Sequence, residues 1–151
     1  MVKLSIHTLQ IESVPVIIEI APLLSDKQLK YFQQKLVKRS EKWKNKWWQD
    51  TKEQQLEARL EKTQDFAEKV YGDLSNDQLN QLKHSLEQAN INPAISYAEI
   101  ERRNYDAISI LKTLQTTSSS KDEKTQLVTA GFARIQKSPS PIYQNYADEL
   151  S

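Results

Sequence analysis

The phrase Leu-Ser-x-x-Gln-Leu stands twice in this chain, at residues 24–29 and, fifty residues on, at residues 74–79. Each copy is a complete instruction for starting a helix. The serine side chain can accept from the backbone amide three residues later, while the glutamine reaches back to the serine's own amide. Leu24 and Leu29 flank Ser25 and Gln28 as a hydrophobic staple, and Leu74 and Leu79 do the same for Ser75 and Gln78. The likeness runs past the caps. Val16, Ile17, Ile20, Ala21 and Leu24 match Phe66, Ala67, Val70, Tyr71 and Leu74 at the same offset, and Phe32 and Leu36 match Leu82 and Leu86. The repeated unit is therefore helix, sharp corner, capped helix. Two copies are too few for a solenoid, which needs at least about three repeats, so the pattern predicts a compact all-α bundle.

Other boundaries are as plain. Thr51-x-x-Gln54 and Ser120-x-x-Glu123 read as further capping boxes, and Asn92 followed by Pro93 opens another helix. Gly72 and Pro22 supply stops. Six helices follow, over 14–23, 26–48, 52–71, 76–90, 93–116 and 121–136, with a strand conceivable only at 2–6. The third carries Leu56, Leu60, Phe66, Ala67 and Val70 on an apolar stripe expected to be buried, the fifth Tyr97, Ile100, Ile108, Leu111 and Leu114, and the sixth Leu127, Val128 and Ile135. The link at 48–51 holds no Gly or Pro, so the second and third helices could form one bent rod. Residues 1–137 read as a single domain of five or six helices, and 138–151 as a tail that packs weakly or is truncated.

Composition narrows the function classes. A net charge of +1 gives the whole chain no electrostatic reason to seek DNA or anionic membranes. The absence of cysteine removes disulfides, thiolate metal sites and thiol nucleophiles. The longest apolar stretch, VPVIIEIAPLL, is about half the ~20 residues of a membrane span, so no transmembrane segment is expected. His7 and His84 lie in unrelated segments, and glycine occurs only at 72 and 131, so no phosphate cradle or catalytic signature can be drawn. The expectation is a non-enzyme with no metal and no cofactor. Gly131, beside Leu127, Val128 and Ile135, reads as a place of close helix packing.

Two constellations remain. In KLVKRSEKWKNKWW, Lys35, Lys38, Arg39, Lys42, Lys44 and Lys46 interleave with Trp43, Trp47 and Trp48. Cations among aromatics suit a protein-binding surface, a single-stranded nucleic acid platform or a membrane interface. The plainer reading makes Trp43 and Trp47 a continuation of the core stripe of Leu29, Phe32 and Leu36. Glu53, Glu57 and Glu61, spaced every four residues, are expected to face this basic helix. In YAEIERRNYD, Glu99–Arg103 and Arg102–Asp106 stand at i,i+4, which predicts ion pairing more than ligand binding.

In their order, APLLSDKQLKYFQQKLVKRSEKW, EARLEKTQDFAEKVYGDLSNDQLNQL and YAEIERRNYDAISILKTL resemble an uncharacterised family of proteobacterial lipoproteins, a domain of unknown function, over residues 16–116. In that family Leu-Ser/Thr-x-x-Gln corners alternate with charged helices, and Arg102 and Arg103 match its later arginine-rich segment. The resemblance implies a periplasmic or envelope address, although no signal peptide or lipid-bearing cysteine is visible in this chain. The same Leu-Ser-x-x-Gln corners are similar, more weakly, to the LTxxQ motif of periplasmic stress chaperones, which implies binding of unfolded clients. The expected function is thus a non-catalytic envelope domain that binds proteins, chaperone-like. Nucleic-acid or anionic-membrane binding through 35–48, or a purely structural scaffold, are the alternatives. Oligomeric state is left open.

Overall fold

In the computed structural model, the backbone of residues 2–151 and the side chains from residue 7 onward are described. Seven α-helices and one 3₁₀ turn follow each other with no strand among the described residues. They are α1 (Val2–Ile20), the 3₁₀ turn Ala21–Leu23, α2 (Asp26–Trp47), α3 (Lys52–Tyr71), α4 (Asn76–Gln88), α5 (Pro93–Thr116), α6 (Lys121–Gln136) and α7 (Pro141–Leu150). The protein is an all-α helical bundle.

Three of the four predicted capping boxes form in full. Ser25 Oγ accepts from the Gln28 amide at 3.1 Å, and Gln28 Oε1 accepts from the Ser25 amide at 2.9 Å. Ser75 and Gln78 repeat the pair at 3.2 and 2.9 Å, and Thr51 and Gln54 form the third box. At Ser120 only half of the box exists: the hydroxyl accepts from the Glu123 amide, but the carboxylate does not reach back. Gly72 ends α3 with φ +82°, a left-handed backbone that a side chain would strain.

Three expectations change. A helix beginning at residue 14 would place Pro15 in its first turn, where proline is tolerated; instead α1 begins at Val2, takes in residues 2–6 and runs through Pro15. The link at 48–51 breaks the rod. Thr51 caps α3 afresh, and Gln55 Nε2 braces the turn by donating to the Gln49 carbonyl at 2.8 Å. Within 138–151, expected as a weakly packed tail, residues 141–150 form a helix capped by Ser140, whose Tyr146 is buried. The Tyr146 hydroxyl accepts from the Asn92 amide at 2.9 Å, tying α7 to the start of α5.

Helix α5 is the centre of the bundle, packing against α2, the 3₁₀ turn, α6 and α7, while α1 lies along α6. The core sits at the α1–α5–α6 junction, where Val14, Ile18, Ala21, Leu114 and Val128 cluster and Ile110, Leu111 and Phe132 pack round them. At Gly131 the end of the Ile110 side chain of α5 fills the space that a Cβ would take. Helices α3 and α4 pack chiefly on each other and contain no fully buried residue. Phe66 and Val70, predicted for the buried stripe of α3, are 68% and 55% exposed.

Candidate functional site

The basic segment occupies the C-terminal half of α2, where a continuous helix puts Trp43 and Trp47 on one face and the lysines around them. All three indoles are half-buried, so they are neither a sealed core nor a free platform. Trp43 stacks on Tyr97 of α5 at 6.3 Å and 26°, and Trp48 lies tilted against the same ring at 5.7 Å. Lys44 Nζ sits 5.1 Å from the Trp48 ring and 5.4 Å from Tyr97, and Lys46 Nζ sits 5.0 Å from Trp47. Two of the six cations of this segment, Lys44 and Lys46, are thus folded back onto the indoles by cation–π attraction. Burial, assisted by the Glu101 and Glu41 carboxylates, raises the Tyr97 phenol above its ordinary pKa.

The outward face of α2 is different. Lys35, Lys38, Arg39 and Lys42 are exposed, as are Tyr31 and Val37 at 61% and 50%. Lys35 Nζ lies 5.3 Å from the Tyr31 ring. Beside this strip runs an open groove of about 590 Å³ between α2 and α5, lined by Gln33, Leu36, Val37 and Tyr105 among others. Its floor is polar and fixed. Buried Ser40 donates to the Leu36 carbonyl at 2.9 Å, and Asn104 Nδ2 of α5 donates to Ser40 Oγ at 2.7 Å. Tyr105 is 73% exposed at the groove's α5 side.

The acidic row of α3 does not answer the basic helix. Glu53, Glu57 and Glu61 are exposed, and no ion pair joins α2 to α3 among the described residues. The link between these helices is Arg59, whose guanidinium lies 5.6 Å from the Trp47 ring.

Arg102 and Arg103 form both predicted pairs and more. Glu99, with its side chain 3% exposed, accepts from Arg102 at 2.6 and 3.0 Å, from Arg103 at 3.1 Å and from Ser138 at 2.9 Å. Asp106 accepts from Arg102 and from Arg134 of α6, each at 2.7 Å. The two arginines also donate to the Arg134 and Ile135 carbonyls at the end of α6, at 2.8 and 3.3 Å. Burial alone would raise the Glu99 carboxyl, but the hydrogen bonds from Arg102, Ser138 and Arg103 outweigh it and hold it below the usual range. The same bonds raise Arg102. These arginines stitch α5 to α6 and to the turn before α7. Arg134 and Ser138 escaped sequence reasoning because their partners lie 28 and 39 residues away, with no periodicity to connect them.

The two corners share their caps but not their surroundings. Gln115 Nε2 of α5 donates to the Ala21 and Leu24 carbonyls of the first corner at 3.2 and 3.0 Å. At the second corner no such donor arrives among the described residues, and Phe66, Val70 and Tyr71 face solvent. Among the described residues no cluster of His, Asp or Glu could hold a metal, and no helix is long and apolar enough to cross a membrane. Set against protein-family models, curated proteins and solved structures, the chain matches none.

Proposed function

We propose that this is a non-catalytic helical domain that binds proteins, docking an apolar, acidic segment of an unfolded or envelope client on the outer face of α2. The observation that carries the reading is the strip where Lys30, Lys35 and Lys38 lie round exposed Tyr31 and Val37 beside the open α2–α5 groove. Apolar side chains left in water next to solvated cations favour a partner that supplies both burial and negative charge. The envelope address rests on the resemblance of residues 16–116, and the chaperone-like role on the Leu-Ser-x-x-Gln corners at 24–28 and 74–78. The covered state of Trp43, Trp47 and Trp48 supports a protein partner over base stacking, which needs free aromatic faces. The separated, exposed His7 and His84 support a binding role over catalysis.

The test is light scattering of a reduced or heated client at stoichiometric protein. Scattering is expected to fall, and the effect to weaken in a Tyr31→Ser/Lys35→Glu/Lys38→Glu variant. Unchanged client aggregation removes the chaperone-like reading. Binding to oligonucleotides or anionic vesicles that falls steeply with salt would replace it with the electrostatic alternative.

A further inference from the structure

Arg59 stands apart from the other arginines of the chain. Arg102, Arg103 and Arg134 are each paired with a carboxylate, and Arg39 is solvated on the face of α2. Arg59 is half-buried, and among the described residues its guanidinium has no ion pair and no hydrogen bond. It rests on the Trp47 ring, which screens one face and leaves its five N–H donors unused. Burial lowers its pKa, with the Tyr146 phenol acting weakly the other way, as fits a cation short of water and short of a partner.

The group lines an open cleft of about 800 Å³ formed by α3, α4 and the turn into α5. Lys52 and Lys83 line the same cleft, and Trp48, Leu56 and Leu86 supply apolar wall. A partly desolvated, unpaired fork of donors in such a recess is the arrangement in which an incoming anion regains the most interaction. Glu53 and Glu87 also line it, so three cations face two carboxylates and the local balance is a single positive charge. That balance suits a monoanion, whereas a phosphate dianion would meet both glutamates. The apolar wall asks for a ligand with an apolar body.

We propose that this cleft binds an organic monoanion, a carboxylate carried on an apolar body, with Arg59 as its bidentate anchor. A free acid and the C-terminal carboxylate of a peptide present the same chemistry. The site lies on α3 and α4, so it does not depend on the client-binding reading of α2.

The experiment uses the full chain and its own fluorescence, because Trp47 lies under Arg59 and Trp48 lines the cleft. N-acetyl-leucine and its uncharged amide are titrated in parallel, and then a short peptide ending in leucine with a free or an amidated terminus. The expected result is a saturable change with the acid, and binding of the amide weaker by about tenfold or more. Saturation by the peptide at lower concentration than by the free acid would point to chain ends as the source, and the reverse to small acids. Arg59→Gln is expected to abolish the preference for acid over amide, and Arg59→Lys to restore only part of it, since an ammonium lacks the planar fork. Lys83→Gln is expected to weaken the acid less than Arg59→Gln does. Circular dichroism establishes that each variant is folded. Equal titration by acid and amide, no saturable response to the acid, tighter binding of inorganic phosphate, or an undiminished preference in folded Arg59→Gln would each overturn the proposal.

Discussion

Ser138 Oγ donates to Glu99 Oε2 at 2.9 Å across 39 residues of sequence, a polar contact buried at both ends. It joins the turn before α7 to a carboxylate already holding two arginines of its own helix. Glu99 is thus the common partner of groups that would each be costly to bury alone.

Replacing that carboxylate leaves Arg103 without an ion pair and Arg102 with Asp106 as its one carboxylate. Glu99→Gln keeps the volume but removes the charge, and with Arg102 still paired to Asp106 and Arg103 partly solvated we expect a loss of about 1–3 kcal/mol. Urea unfolding of the variant and the parent measures it. A change within about 0.5 kcal/mol would mean the network is no more than surface pairing.

The same contact sets a pH dependence. The folded-state pKa of Glu99 is depressed below its ordinary 4.5, so its contribution is complete above that value and is lost as pH falls through the lower folded-state value. Stability is expected to decline on the acid side, and Glu99→Gln to flatten that decline. Denaturation midpoints collected from about pH 6 to pH 3 test the sign; an acid limb identical in parent and variant would count against it.

At Gly131 two effects oppose. Alanine favours a helix interior by about 0.5–1 kcal/mol, but its Cβ would strike Ile110 Cδ1, the end of a flexible side chain, and turning that methyl aside costs about 0.5–1.5 kcal/mol. Gly131→Ala should therefore change stability by less than about 1 kcal/mol. Ile110→Val removes the obstructing methyl, so the double variant is expected to be more stable than the sum of the single effects. A strictly additive cycle would show that the close approach is not what selects glycine.

Tyr97 shields two indoles at once. Tyr97→Ala opens the sides of Trp43 and Trp48 to water, so emission should shift to the red and acrylamide quenching should rise. Unaltered quenching would place the protection of the tryptophans elsewhere.

What could be read from the sequence was what is encoded locally. The boxes at Ser25, Thr51 and Ser75, the stop at Gly72 and the i,i+4 pairs of Arg102 and Arg103 each depend on neighbours within four residues, and each appears in the fold. Periodicity also marked Ile108, Leu114 and Val128 for burial. It failed where packing is not local. Phe66 and Val70 carry the same stripe as a buried helix, yet no element of the chain comes to cover them. Nor did charge pattern foretell the α2–α3 contact, because Arg59 chose the Trp47 ring over the glutamates, and an exposed acidic row gains little from pairing. The groove and the cleft draw their linings from segments far apart in sequence, so neither leaves a linear trace.

The uneven treatment of the two corners has a further outcome for how the molecule comes apart. Where α5 clamps the first corner through Gln115, the neighbouring backbone can exchange its amide protons only when the main core opens. The α3–α4 pair, with no fully buried residue, has no such lock and should exchange through a smaller, earlier opening. Two stretches that begin with the same written phrase would then report separate lifetimes, the difference being set by which of them the rest of the chain leans on.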